Sequence, residues 1–319
     1  MVFQVIVIVV LLALAGIGIY LLVQKKKTRT LAARAEAAVP PLGRFLDIST
    51  GRLHYIDKGE GQPIVMVHGL GAQMRSLTMA LLEPLSKDFR VIAIDRPGMG
   101  YSDRPESASA RIDDQAGYVE EVIDALGLER PIVLGHSLGG AIAAALALRA
   151  PDKVAGLALV APLLQRSTRS VDSFAPLGVT DPGRRRFIAH TLAVPASARN
   201  SEQTLAEVFG PEAVPDGYAV AGGGLMSLRP NAYLNASRDY CAVNEVIRKQ
   251  SDRYDEITCP IHVLYGTEDR ILDYREQGTA IAERYPHIHL ETVEGAGHML
   301  PLTRPDRVIE LVHGVARAL

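Results

Sequence analysis

The chain has 319 residues, 36 acidic and 34 basic side chains for a formal net charge of −2, and 48% hydrophobic residues. That length serves one large domain or two modest ones, each with its own core, and the near-neutral balance excludes nucleic acid as an expected partner. The two cysteines, Cys241 and Cys259, stand in neither a C-x-x-C nor a zinc spacing, which excludes a cysteine-based metal or redox centre and fits two free thiols.

Residues 2–23 come first: almost unbroken Val, Ile, Leu and Ala, with Gln4 and Tyr20 near the ends and no charge between them. About 22 residues at ~1.5 Å each reach about 33 Å, enough to cross a bilayer core with slight tilt. A secretory signal has a basic start and a shorter apolar run, and neither is present; cleavage within the Ala-rich stretch 31–38 is the competing reading. A buried core helix fits less well, because the run has no polar face. Lys25, Lys26, Lys27 and Arg29 follow at once, a bias that sets the C-terminal side in the cytoplasm. The expectation is a single-pass transmembrane anchor at 1–24 with the rest of the chain facing the cytoplasm. Residues 25–42 form a tether, either a helix extension or a short amphipathic piece, ended by Pro40-Pro41.

From Gly43 short β-branched runs alternate with helical ones. Strands are predicted at 44–48, 52–57, 63–67, 90–94, 131–135, 156–160, 261–265 and 288–293. The first two, separated by Ser49, Thr50 and Gly51, read as a hairpin. The later ones are spaced by helical stretches such as 112–126 and 141–150, which implies parallel pairing through right-handed crossovers. The fold class is therefore α/β, a mostly parallel sheet of eight strands with an antiparallel edge and flanking helices. Residues 163–256 break the alternation, with apolar residues at helical spacing and the run Gly222, Gly223, Gly224. Roughly 90 residues are too many for a plain loop, so a helical cap is predicted there, inserted between core segments 43–162 and 257–319. Open α/β sheets bind ligands outside their C-terminal strand ends, and an insertion at that edge would roof the site.

Chemistry is carried by Gly135-His136-Ser137-Leu138-Gly139-Gly140. A G-x-S-x-G string alone is weak evidence. Here an apolar strand precedes it and an Ala- and Leu-rich helix follows, as a strained strand-to-helix turn that projects a serine hydroxyl requires. The helix begun at Ser137 also aims free N–H groups and its positive dipole end at the reaction site. A serine hydroxyl needs a base oriented by a carboxylate. His298, in Gly295-Ala296-Gly297-His298 after the last strand, is the candidate base. His54 and His262 lie in strands, His287 and His289 flank one, His190 and His313 lie in helical stretches, and His68 and His136 read as structural and packing residues.

With these motifs in this order, the chain resembles the α/β-hydrolase superfamily, and within it the capped lipases, esterases and cofactor-free haloperoxidase-like members, from about residue 44 to 319. An apolar helix ahead of such a domain is similar in layout to the membrane-anchored monoacylglycerol hydrolases. The resemblance implies a triad of Ser137, Asp269 and His298. Asp269 stands in Gly266-Thr267-Glu268-Asp269-Arg270 after the seventh strand, with Glu268 and Asp273 as nearest competitors. The resemblance further implies that the backbone N–H groups of Leu70, in His68-Gly69-Leu70-Gly71, and of Leu138 form an oxyanion hole. The segment Asp95-Arg96-Pro97-Gly98-Met99-Gly100-Tyr101-Ser102 also matches the superfamily, and reads as a structural turn at the pocket rim.

The expected activity is hydrolysis of a carboxylic ester through an acyl-enzyme, on an apolar or lipid-like substrate such as a monoacylglycerol. No P-loop, dinucleotide fingerprint or metal-ligand cluster is present in the sequence, so no cofactor is expected. Leu163, Leu164, Met226, Met299 and Leu300 are candidate pocket residues. A serine at the elbow argues against the haloalkane dehalogenase and epoxide hydrolase branches, which carry aspartate there. Three alternatives share the fold: a carbon–carbon bond hydrolase of ring-fission products, a perhydrolase or acyltransferase, and a low-turnover ligand receptor.

Overall fold

The computed structural model of the protein describes all 319 residues. It begins with α1 (Val2–Ala38), one unbroken helix of 37 residues, whose apolar first part is long enough to cross a membrane. Membrane anchors and signal sequences share that composition. The segment that follows the apolar run continues the same helix. Lys25, Lys26 and Lys27 change the solvent the helix prefers but not its backbone, and no glycine or proline occurs until Pro40. Its last turns are seated on the rest of the protein, with Thr28, Ala35 and Val39 buried. Thr28 Oγ1 donates to the Thr191 carbonyl (3.0 Å), Arg229 Nε to Glu36 (2.8 Å) and the Tyr101 hydroxyl to the Val39 carbonyl (2.6 Å).

Eight strands build one sheet: β1 (Arg44–Ile48), β2 (Gly51–Lys58), β3 (Pro63–Val67), β4 (Arg90–Ile94), β5 (Ile132–His136), β6 (Gly156–Val160), β7 (Ile261–Gly266) and β8 (Ile288–Val293). Their spatial order is β1-β2-β4-β3-β5-β6-β7-β8. β1 pairs with β2 and β2 with β4 antiparallel, and the remaining pairs are parallel. Every predicted strand is present with ends within one residue of expectation. The central strands are buried on both faces, which is why they read as continuous apolar runs.

Alternate residues enter two separate cores. Val65, Val67, Ile92, Val133, Leu157 and Val263 pack with α3 (Ile112–Ala125) and α4 (Leu138–Arg149), whereas Ile64, Met66, Val91, Leu134, Ala158 and Leu264 pack with α2 (Arg75–Leu85) and the C-terminal α11 (Pro305–Arg317). α11 shows the matching helical spacing, burying Val308, Leu311, Val312 and Val315. Between β6 and β7 the chain forms α5 (Pro182–Ile188), α6 (Val194–Arg199), α7 (Ser201–Phe209) and the long α8 (Pro230–Gln250), with a π-helical turn over Ala189–Ala193. After β7 come the short α9 (Ala280–Arg284) and, ahead of α11, α10 (Leu300–Thr303).

Candidate active site

The candidate residues gather just past the C-terminal ends of the parallel strands. Ser137 joins β5 to α4 at φ 54° and ψ −121°, a left-handed backbone that L-residues adopt only when the surroundings impose it. Those surroundings are close. The Ser137 N–H donates to the Val160 carbonyl on β6 (3.0 Å), and its own carbonyl accepts from Gly140 (2.9 Å) and Leu163 (3.0 Å). A Cβ at Gly139 would sit 2.1 Å from the Val67 carbonyl oxygen, so only glycine lets α4 start this close to β3.

His298 follows β8, and its Nδ1 lies 2.7 Å from Asp269 Oδ2 in a buried contact. The other carboxylate oxygen of Asp269 accepts from the Ile271 (2.8 Å) and Leu272 (2.9 Å) amides, so both oxygens are engaged. The loop before His298 is held by Glu212 from the inserted region, which accepts from the Gly297 N–H (2.8 Å) and pairs with Arg304 (2.7 Å). Ser137 and His298 line one cavity, and neither Ser137 Oγ nor His298 Nε2 has a hydrogen-bond partner within the protein. In resting hydrolytic sites that contact is commonly long and tightens on the bound substrate. The carboxylate that His298 meets is Asp269, whereas of the competing acids Asp273 pairs with Arg169 (3.2 Å).

Leu70 lies in the loop after β3 and Leu138 is the first residue of α4; neither amide donates to an acceptor within the protein. The loop presses on the elbow, since a Cβ at Gly69 would come within 3.0 Å of Ser137 Cβ. His68 is fully buried, accepting from the Arg96 N–H at Nε2 (3.0 Å) and contacting the Gly69 carbonyl through Nδ1 (2.9 Å). Burial, then the Arg96 charge, hold its pKa well below the ordinary histidine value. His136 is buried too. Its Nε2 contacts the His298 carbonyl (3.1 Å), and burial together with the neighbouring His298 pushes its pKa down to about 3. A second histidine–aspartate pair, His54 Nδ1 with Asp95 Oδ2 (2.7 Å), is buried on the β2 side and lines neither cavity described below.

Two cavities meet at Ser137. The larger, about 260 Å³, is lined by Gln73, His136, Ser137, Tyr218, Met226, His298 and Met299 among others. The smaller, about 150 Å³, runs from Ser137 and Leu138 past Leu163, Val171, Val243, Ile271 and Leu272. Leu70, Ser137 and Phe174 border both. Of the candidate pocket residues, Met226 and Met299 border the larger cavity and Leu163 the smaller. Leu164 and Leu300 line neither: Leu164 packs in the core while its amide donates to Gln277 (2.9 Å), and Leu300 is fully buried in the core shared with α2 and α11. Sequence reasoning missed Glu212 and Asp239, and read Arg96 only as part of a turn at the rim. Asp239, buried on α8, pairs with Arg96 (2.9 Å) and Arg104 (2.6 Å). Outside the cavities, His262, His289 and Glu291 bring one donor atom each within 4.8 Å of one another, but Glu291 is already engaged by Arg307 (3.0 Å) and His289 (3.3 Å).

Residues 62–305 match the family profile described as alpha/beta hydrolase fold. The chain is 27% identical over 272 residues to the (E)-2-((N-methylformamido)methylene)succinate hydrolase of Acinetobacter baylyi, covering 84% of this chain and 95% of the relative. It is 28% identical over 278 residues to the 2-hydroxymuconate semialdehyde hydrolase of Pseudomonas putida, covering 86% and 93%. Among solved structures it is similar to a membrane phospholipase A described as a bacterial virulence factor, with a TM-score of 0.61, 23% identity and coverage of 100% of both chains.

Proposed function

Since the chain belongs to the alpha/beta hydrolase fold family, we propose that this hydrolase cleaves carboxylic esters of apolar, lipid-like character through an acyl-enzyme on Ser137, while α1 holds it at the cytoplasmic face of a membrane. The observation that carries this reading is the buried 2.7 Å contact between His298 and Asp269 beside a cavity shared by His298 and Ser137.

In this mechanism His298 Nε2 takes the Ser137 proton as Oγ attacks the ester carbonyl carbon. Asp269 holds the imidazole in the tautomer with the proton on Nδ1 and offsets the charge it gains. The Leu70 and Leu138 amides receive the oxyanion. The carbon–oxygen bond to the alcohol then breaks as His298 returns the proton to the departing oxygen. Water repeats the cycle, giving its proton to His298 while its oxygen attacks the acyl carbon, and Ser137 leaves with the proton restored.

The departing oxygen must lie near the imidazole, and His298 lines only the larger cavity. The alcohol limb therefore takes the larger cavity and the acyl limb the smaller. A cavity of about 150 Å³ accommodates a benzene-sized group, so an acyl chain of about six carbons fills it. The test is an acyl-length series of p-nitrophenyl esters with Ser137→Ala as control. A kcat/KM maximum near C6, absent in the variant, supports the reading; activity surviving in Ser137→Ala contradicts the ester mechanism, and activity rising steadily to C16 contradicts the placement of the acyl limb in the smaller cavity.

A second reading rests on the similarity to the Pseudomonas putida enzyme, whose named substrate is not an ester. It has the same nucleophile act on a carbon–carbon bond next to a carbonyl. A vinylogous diketone turned over faster than every ester in the series favours that reading.

A further inference from the structure

A buried charge chain links the inserted region to the loop that carries Leu70. Arg96 is 1% exposed, and its guanidinium spends its donors in two directions. Toward the loop, Nε donates to the His68 carbonyl and Nη2 to the Gly69 carbonyl, both at 2.9 Å. Toward the inserted region, Nη1 donates to Asp239 Oδ2 at 2.9 Å and to Gln115. The second oxygen of Asp239 accepts from Arg104, whose side chain is also fully buried. Two guanidinium groups thus share one carboxylate, leaving one positive charge without a carboxylate partner.

The Gly69 carbonyl receives two donors, Arg96 Nη2 and His68 Nδ1. The Nδ1 proton follows from the Arg96 N–H being donated to Nε2, which leaves Nδ1 as the protonated nitrogen. A peptide is planar and trans, so fixing the carbonyl of Gly69 fixes the Leu70 N–H pointing the opposite way. Hydrogen bonds accepted by a peptide carbonyl also polarise its N–H and strengthen what it donates. Gly69 itself lies against Ser137, since a Cβ added to it would come within 3.0 Å of the Ser137 Cβ.

We propose that Arg96 and Asp239 are positioning residues: Asp239, on the cap helix α8, holds Arg96 so that the Gly69–Leu70 peptide presents its N–H to the oxyanion, making cap seating and oxyanion stabilisation one unit. This rests on the serine-hydrolase reading, and it gives the Asp95-to-Ser102 segment a part beyond shaping the rim.

The test compares Asp239→Asn with Asn235→Ala in the full-length detergent-solubilised protein. Asn235 ties the same helix to the core through the Gly98 carbonyl (2.9 Å) and Arg104 (3.1 Å) without touching Arg96. Active sites are counted by fluorophosphonate labelling, so that kcat is expressed per competent molecule and loss of folded protein does not enter. Deleting a whole oxyanion donor costs about 100-fold to 1,000-fold; a displaced one is expected to cost about 10-fold to 100-fold in kcat per labelled site. KM is expected to stay within about twofold for Asp239→Asn, and Asn235→Ala to change kcat by less than about threefold. As a second variant, Arg96→Lys keeps the charge but lacks the fork, and is expected to lose kcat to the same extent. Full kcat per site in Asp239→Asn, or equal losses in Asn235→Ala, overturns the positioning role alone. A wild-type protein that does not label overturns the serine-hydrolase reading and this one together.

Discussion

Asp269 commits both carboxylate oxygens at once, Oδ2 to His298 Nδ1 at 2.7 Å and Oδ1 to the Ile271 and Leu272 amides. The ring orientation is therefore set by a carboxylate that is itself fixed. In Asp269→Asn the amide keeps the shape, but its NH₂ group can face the ring and favour the wrong tautomer. Ester kcat is expected to fall by about 10⁴, as such changes do in serine hydrolases, with an unchanged circular-dichroism spectrum. A loss below tenfold would mean that the pair is structural.

Ser137 stores backbone strain at φ 54°. Glycine relaxes there at no steric cost whereas alanine does not. Ser137→Gly is expected to raise the unfolding free energy by about 1 kcal/mol relative to Ser137→Ala. Denaturant midpoints measure the difference, and equal midpoints argue against strain at the elbow.

His136 and His68 make stability depend on acid. Both are held neutral in the folded state, His136 with its pKa pushed down to about 3 and His68 well below the ordinary value, chiefly by burial. Unfolded, each takes a proton as pH falls through about 6.5. The unfolded chain then binds more protons, so this stability is intact above pH 6.5 and is lost as pH falls, by up to about 1.4 kcal/mol per pH unit for each histidine. Urea unfolding between pH 6.5 and 5 is expected to show that decline, and His136→Asn to reduce its slope by about one proton. An identical slope in the variant contradicts the assignment.

The seating of α1 separates two truncations. Removing residues 1–24 leaves Thr28, Ala35 and Val39 in place and is expected to give a stable protein that no longer sediments with membranes. Removing residues 1–42 also deletes the Thr28–Thr191, Glu36–Arg229 and Val39–Tyr101 contacts and two buried apolar side chains. That is expected to cost about 2–4 kcal/mol in denaturant unfolding. Equal stability of the two forms would show that the last turns of α1 only tether.

The sheet was legible in the sequence because its central strands are short apolar runs bounded by turn residues or helical stretches, as at 63–67 and 156–160. The candidate residues were legible where chemistry is local: Ser137 between its glycines, His298 after a Gly-x-Gly turn. What was not legible depends on pairing across long separations. Asp239 meets Arg96 across 143 positions, and Glu212 meets the Gly297 amide across 85; neither acid has a local pattern that sets it apart from a surface carboxylate. The candidate pocket residues divide for a related reason. Leu163 and Leu164 are adjacent, yet the turn after β6 sends one into the smaller cavity and the other into the core, a choice made by tertiary packing.

The most direct measurement is the rate and site of phosphonylation by a fluorophosphonate, followed by intact-protein and peptide mass spectrometry in the wild type and in Asp269→Asn. One phosphonyl group on the peptide containing Ser137, added at least 100-fold more slowly in Asp269→Asn, is the predicted result. A label on another residue, or equal rates in the two proteins, would contradict the account.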